Sequence, residues 1–412
     1  MTTQTVRRTV ESSAPAAGRH RRGFWMLAVA FAVLMSFTTV PTPMYPLYQA
    51  RDGFPTVLIT VIFAAYGIGV MAGLFLAGHL SDHLGRRPVL AAAVAAELVS
   101  VTVFILGEGV PALLVARFVC GFGIGALTST ATAALTELRA IAVPPEPRTV
   151  AATLASAVNL GGLAFGPLVG GLLVAWGHAP LRVPYLLYLV LLVAVMLVIA
   201  TIPETVPERR RAAPYRYRPQ QIQVEPHHRA EFAAAGVAAA AAFAVMGFYT
   251  SLTASFLRGT LGNDSPVIAG ATVFGLMAAS AVSQVALAGL AVRSKVYAGL
   301  VLMLAGLAGI AVAAQVPSLP GYVVGGVLAG AGVGLVFASA IEAAARLGRD
   351  GHRGEAIAGM FLAAYGGITV PVIASGVALI WWPATTVIGV FAGVVALTVV
   401  LAVGRMARQL PR

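Results

Sequence analysis

Two ionisable side chains stand deep inside apolar stretches of this sequence. Glu97 follows Pro88 by nine residues, and Arg117 follows Pro111 by six. If each proline opens a helix, a rise of about 1.5 Å per residue puts the carboxyl roughly 14 Å in and the guanidinium roughly 9 Å in. A charge in the middle of a hydrocarbon layer costs about 2.5–3.5 kcal/mol on insertion scales, so such residues are read as functional by default. A carboxyl group at that depth is a candidate for carrying a proton. An arginine near it is a candidate for compensating the charge when the proton leaves. The competing readings are a hydrogen bond between helices for Glu97, and snorkelling or carbonyl binding for Arg117. A third group is the run from Gly78 to Leu90, which holds Asp82, Gly85, Arg86 and Arg87 between two apolar segments. Asp82 and Arg86 are four apart and share a face on a helical turn. Gly85 permits a turn that a Cβ would resist. Arg86 can also reach an acid at the end of a later helix, and Glu137 is the candidate.

The elements that position these residues are membrane helices. The chain has 412 residues, of which 59% are hydrophobic and 10% charged, and its mean hydropathy is +0.88. A soluble domain carries about a quarter charged residues. Crossing a hydrocarbon layer of about 30 Å takes about 20 apolar residues. Twelve stretches qualify: residues 24–48, 56–78, 88–106, 111–138, 150–176, 184–202, 231–256, 267–292, 296–314, 320–345, 357–380 and 383–403. The sequence therefore predicts an all-α membrane protein of twelve transmembrane helices. The expected organisation is a basic tail (1–23), six helices (24–202), a basic proline-containing linker (203–229), six further helices (230–404) and a second tail (405–412). With both termini placed inside, 23 of the 27 Lys and Arg fall on the cytoplasmic side, which is the positive-inside pattern. A shift of 211 residues lays Ala77-Gly78 on Ala288-Gly289 and Gly121-x-Gly123 on Gly332-x-Gly334, as a parallel repeat of the two halves would. The charges do not follow this shift, so the chemistry is expected in the first half.

Other classes are excluded. The net charge of +12 sits in short loops and reads as topology, so no nucleic acid partner is expected. Cys120 is the single cysteine, which rules out an intrachain disulfide. No glycine loop with lysine suited to nucleotide phosphates is present. His79 and His83 are four apart, but beside two arginines they read as solvated side chains, not metal ligands. No enzyme, metal or organic cofactor is expected, and the energy source would be a proton gradient.

The run Gly78-His79-Leu80-Ser81-Asp82-His83-Leu84-Gly85-Arg86-Arg87 resembles the loop between helices 2 and 3 of major facilitator superfamily transporters. Arg117 with Gly121, Gly123 and Gly125 resembles that family's helix-4 motif. Gly162-x-x-x-Gly166-Pro167-x-x-Gly170-Gly171 is similar to its antiporter-associated helix-5 motif, with Thr153 in place of one further glycine. The resemblance implies two six-helix bundles that rock about a central path. It implies that Gly78, Asp82, Gly85, Arg86, Arg87 and Glu137 form a cytoplasmic latch. It also implies that Arg117, with Glu97, serves proton coupling, and that helix 5 favours export.

Pro41, Pro43 and Pro46 cannot sit in an undistorted helix, and a broken helix at depth often borders a transport path. Thr38, Thr42, Tyr45, Tyr66, Asn159, Phe248, Tyr249, Gln284 and Tyr365 are candidates for the lining, although ordinary packing competes at each. Few polar groups among aromatics suit an amphipathic solute. The expected protein is a proton-coupled exporter of small amphipathic compounds or drugs, monomeric, multi-pass in the cell membrane, with contacts to lipid. One rival is a proton-coupled uptake symporter for a sugar or organic acid. A rival of another class is a non-transporting receptor or interaction protein.

Overall fold

The computed structural model describes residues 3–143, 148–176, 178–211, 217–222, 224–348 and 353–409. The side chains of 3–17, 148–150, 152–153, 209–210, 353 and 409 lie outside that description, and with them the motif position Thr153. Among the described residues, twelve helices are long and apolar enough to cross a membrane. They are α1 (Thr3–Thr39), α2 (Thr56–Ala77), α3 (Arg86–Leu106), α4 (Gly109–Ala142), α5 (Arg148–Trp176) and α6 (Val183–Thr201). The second set is α7 (Arg229–Leu261), α8 (Pro266–Ala286), α9 (Val292–Gln315), α10 (Leu319–Leu347), α11 (Arg353–Ala378) and α12 (Ala384–Gln409).

The two sets pack alike. In the first, α2 and α3 lie against α4, α1 lies against α5 and α4, and α3 lies against α6. The same pairs recur six helices later: α8 and α9 against α10, α7 against α11 and α10, and α9 against α12. The halves meet chiefly through α5 on α8 and through α2 on α11, which are each other's equivalents under the repeat.

Small residues set these approaches. A Cβ on Gly69 or Gly73 of α2 would overlap the backbone of α4 at Phe118 and Phe122, and one on Gly121 or Gly125 would overlap α2 at Tyr66 and Val70. Close backbone contact of this kind is how membrane helices associate where lipid is as apolar as leucine.

Several boundaries differ from expectation: α1 begins within the expected tail at Thr3, α4 runs on to Ala142, α7 to Leu261 and α12 to Gln409, into the expected second tail. The first span does not run on to Tyr48 as one helix: α1 ends at Thr39, a 3-10 turn covers Thr42–Met44, and a short helix covers Tyr45–Asp52. Pro41, Pro43 and Pro46 supply no N–H for the interrupted ladder. α8 stops at Ala286, six residues early. α9 opens at Val292, so Arg293 and Lys295 belong to its first turn and not to a loop.

Candidate functional site

The face that carries the linker is organised by residues between α2 and α3. Gly78 caps α2, its N–H donating to the Leu74 carbonyl at 3.1 Å. A short helix follows (Ser81–Leu84), and then Gly85 at φ +103°, a conformation open to glycine. A side chain there would also strike the Glu204 carboxylate. Arg86 is 8% exposed. Its Nη2 lies 2.7 Å from Asp82 Oδ1 and 2.8 Å from Glu137 Oε1, its Nε donates to Glu137 Oε2 at 3.3 Å, and its Nη1 donates to Ser81 Oγ at 2.6 Å. The Thr205 hydroxyl donates to the same Glu137 at 2.5 Å. Arg87 is exposed and enters only through its backbone. The pairing therefore joins α2, α3, α4 and the exit of α6 within the first half. Asp82, half exposed, pairs with Arg86 and not with the second half.

Glu204 is not among the residues that the sequence singles out. Its carboxylate accepts the N–H groups of Arg86 (2.9 Å), Arg87, Thr205 and Val206 (3.0 Å each). It thereby caps α3, whose first N–H groups have no partner of their own. Burial alone would raise its pKa, but those backbone donors outweigh burial and hold it below the usual carboxylate range. The signal was a lone acid just past the last apolar residue of α6.

The second half carries a counterpart that the fixed shift of 211 concealed. Lys295, 4% exposed, pairs with Glu342 of α10. Glu342 and Glu137 each lie five residues before the end of their helix. Charge chemistry is therefore not confined to the first half; a different cation reaches the equivalent acid from a slightly different register.

The linker forms a second connection on this face. Gln220 N–H donates to the Phe75 carbonyl at 2.9 Å, and the Tyr217 hydroxyl donates to the Leu76 carbonyl at 3.2 Å, both on α2. Arg218 pairs with Glu355 of α11 at 3.1 Å, and Ile222 covers Gly359. His79 and His83 are partly buried rather than solvated, and the His79 ring lies 5.7 Å from Tyr217.

The deep charges lie in the first half. Arg117 is 1% exposed, so it does not snorkel. Its Nη1 donates to the carbonyl oxygen of Thr38 at 2.5 Å, next to the break that ends α1. Its guanidinium lies 4.7 Å from the Tyr66 ring centroid and 5.5 Å from that of Phe63, a stacking geometry suited to arginine. Glu97 is fully buried on α3, and no N–H or O–H group bonds either carboxylate oxygen; the weak donor beside it is the Cys120 thiol of α4. Cys120 and Arg117 are its titratable neighbours. A Cβ on Gly123 would stand 2.8 Å from Glu97 Oε1, so that glycine makes the room for the carboxyl group.

The other candidates divide. Tyr66 crosses the interface between halves and meets Tyr365 of α11 edge-on at 6.2 Å. Gln284 of α8 accepts from Ser156 of α5 at 2.9 Å, again across the halves. Thr38, Thr42 and Tyr45 are buried around the α1 break, and Asn159 is partly buried on α5. Tyr249 stacks on Tyr322 and donates to its carbonyl at 2.9 Å, so it packs α7 on α10. Phe248 stacks on Phe391 of α12 at 4.0 Å. The helix-5 residues are packing positions: Gly162, Gly166 and Gly170 face α1 and the turn after it, while Pro167 and Gly171 meet Gly270 and Pro266 of α8.

The face opposite the linker is shut. Pro266 lies on Gly171, Thr60 lies on Gly376, and Arg258 of α7 reaches the Pro46 carbonyl at 3.4 Å.

Comparison with known proteins agrees with this architecture. The human organic anion transporter MFSD10 (TETRAN) superposes with a TM-score of 0.68 at 16% identity, over 93% of this chain and 99% of that one. A point mutant of the nucleoside transporter NupG superposes at 0.70 and 13% identity, over 94% and 99%. Both likenesses are of fold. In sequence, an arabinose-proton symporter of Bacillus subtilis (strain 168) is 34% identical over 85 residues, 21% of this chain and 18% of that protein. The MFS-type transporter paaT of Penicillium rubens is 30% identical over 183 residues, 44% of this chain and 31% of that protein. The chain thus spans less than a third of the length of these two curated relatives. The sequence profile of the Major Facilitator Superfamily matches residues 26–361, and the chain belongs to that superfamily of transporters.

Proposed function

We propose that this transporter couples proton movement to the export of small amphipathic compounds, by rocking its two halves about the seam between them. The observation that carries this reading is the state of Glu97: a carboxyl group wholly buried, with no donor beside it but the weak Cys120 thiol, one helix away from a buried arginine whose partner is a backbone carbonyl. An ionised carboxylate in such a place is costly unless it is paired. Arg117 can supply that pairing by leaving Thr38. Its ring partner Tyr66 touches Tyr365 of the other half, so a change in the seam reaches the guanidinium and through it Glu97. Protonation and rocking then bias one another, as reciprocal linkage requires.

The closed face, with its glycine contacts between α5 and α8 and between α2 and α11, is one end state of that motion. The latch residues and the Lys295–Glu342 pair keep each half rigid on the linker face while the seam changes. The test is Arg117→Ala in reconstituted vesicles: solute accumulation driven by an imposed pH gradient is lost while folded yield is kept. An unchanged response to the gradient rules Arg117 out as the coupling residue.

A second reading is uptake of a sugar with protons, favoured by the stretch shared with an arabinose-proton symporter. Arabinose uptake by inside-out and right-side-out vesicles under opposed gradients separates the two.

A further inference from the structure

The linker stitches the two halves together across their seam. On the first half, the Tyr217 hydroxyl and the Gln220 N–H donate to the carbonyls of Leu76 and Phe75 at the end of α2. On the second half, Arg218 pairs with Glu355 of α11, Ile222 lies on Gly359 of α11, and Val224 bridges to Gly348 at the end of α10. Tyr217 and Arg218 are consecutive and yet touch opposite halves. Their Cα atoms stand about 3.8 Å apart, so the piece holds little slack. Further along the same pair of helices the contact is direct: Tyr66 meets Tyr365, Gly67 meets Thr369, and Gly376 meets Thr60. At Phe75 and Gly359 the linker stands as the partner of each helix.

We propose that residues 217–224 are a strap that holds the halves in this arrangement, and that its release from α11 sets how often the face opposite the linker opens. The two sides of the strap are unequal. Phe75 and Leu76 lie in the last turn of α2, whose carbonyls have no partner within the helix, so the strap satisfies them and that side is the anchor. The α11 side is the catch. Its ion pair is exposed on the arginine side, where such pairs contribute little. Its apolar contact is Ile222 on a glycine, which offers no side chain to interlock with. Contacts made to both halves at once favour the arrangement that allows them, by the difference in interaction between the two states. Rocking moves α11 relative to α2, and the catch gives way first. The inference rests on the rocking proposed above and is independent of Glu97.

Thr42 reports opening, since it is 2% exposed behind the shut face. The test uses the full chain carrying Thr42→Cys in right-side-out membrane vesicles, with a membrane-impermeant maleimide. Arg218→Ala should raise the labelling rate about 1.5- to fivefold, the range an exposed ion pair allows. Arg218 is half exposed, so its loss leaves the packing intact. The gap between parent and variant should close in about 1 M salt, which screens the pair. Gly359→Ala attacks the catch from the other side. Its Cβ would meet three atoms of Ile222 at 3.0–3.1 Å, pressing the strap off α11, and labelling should again rise. Rates in both variants equal to the parent's, or below it, would overturn the strap. Gly270→Val, which should keep the shut face from forming, is the reference. Fast labelling there with unchanged strap variants sinks the strap alone; no labelling there either sinks the rocking and this proposal with it.

Discussion

Glu97 and Arg117 lie buried on adjoining helices with no ion pair between them; Arg117 instead holds the carbonyl oxygen of Thr38 at 2.5 Å. That carbonyl is free because α1 stops at Thr39, which leaves its i+4 residue, Thr42, outside the helix, and because its i+3 residue, Pro41, has no N–H. The break in α1 and the deep arginine are therefore one arrangement. It leaves the carboxyl group of Glu97 and Arg117 Nε as the members without an N–H, O–H or oxygen partner.

Glu97→Gln keeps the shape and removes the titration. Exchange of solute for solute across a vesicle membrane should persist, while accumulation driven by a pH gradient should vanish. Gly123→Ala should act on the same group indirectly, since its Cβ would press on Glu97 Oε1; a shifted pH profile of transport is the expected sign.

Glu137→Ala strands the nearly buried Arg86 with only the half-exposed Asp82 as its ionic partner. Removing one side of a buried pair costs about 3–5 kcal/mol, and the partial exposure of Glu137 puts this case at the low end. Glu342→Ala does the same to Lys295. The two losses should add to within about 0.5 kcal/mol, as independent sites do. Thermal unfolding in detergent of the single and double variants measures both.

Glu204 gives the linker face a pH dependence. Its folded pKa is depressed, so its contribution is present above the pKa of the unfolded carboxylate and is lost as pH falls through the folded value. The melting temperature of the wild type should exceed that of Glu204→Gln at neutral pH, and the gap should close on acidification below about pH 4, where free carboxylates protonate. A gap that widens in acid contradicts the assignment.

Gly270 meets the backbone of Pro167, and Gly171 meets that of Pro266. Gly270→Val should keep the closed face from forming. A cysteine placed at Thr42, a position 2% exposed here, should then react with a membrane-impermeant maleimide faster than in the Gly270 parent. Native Cys120 is buried and should add little background.

The sequence carried the fold because its signals were local: runs of apolar residues, proline breaks and the sign of the loops. Asp82, Arg86 and Glu137 were legible as a group because i,i+4 spacing and helix ends are local too. Glu204 was not, since the partners that tie it to α3, the N–H groups of Arg86 and Arg87, lie 118 and 117 residues away. Lys295 is hidden by a register change between the repeats, and it lies just ahead of the apolar run 296–314 because α9 begins earlier than that run. Tyr249 and Phe248 looked like lining because aromatic side chains serve packing and binding alike. Only their stacking on Tyr322 and Phe391 separates the two uses.

We propose that protons drive solute out through this protein. The most direct test is uptake of a panel of amphipathic dyes and drugs into everted membrane vesicles, with a proton gradient imposed in each direction. Accumulation inside the everted vesicles when their interior is acid, abolished by collapsing the gradient and by Glu97→Gln, is the predicted result. Uptake that ignores the gradient, or that needs its reverse, would contradict the account.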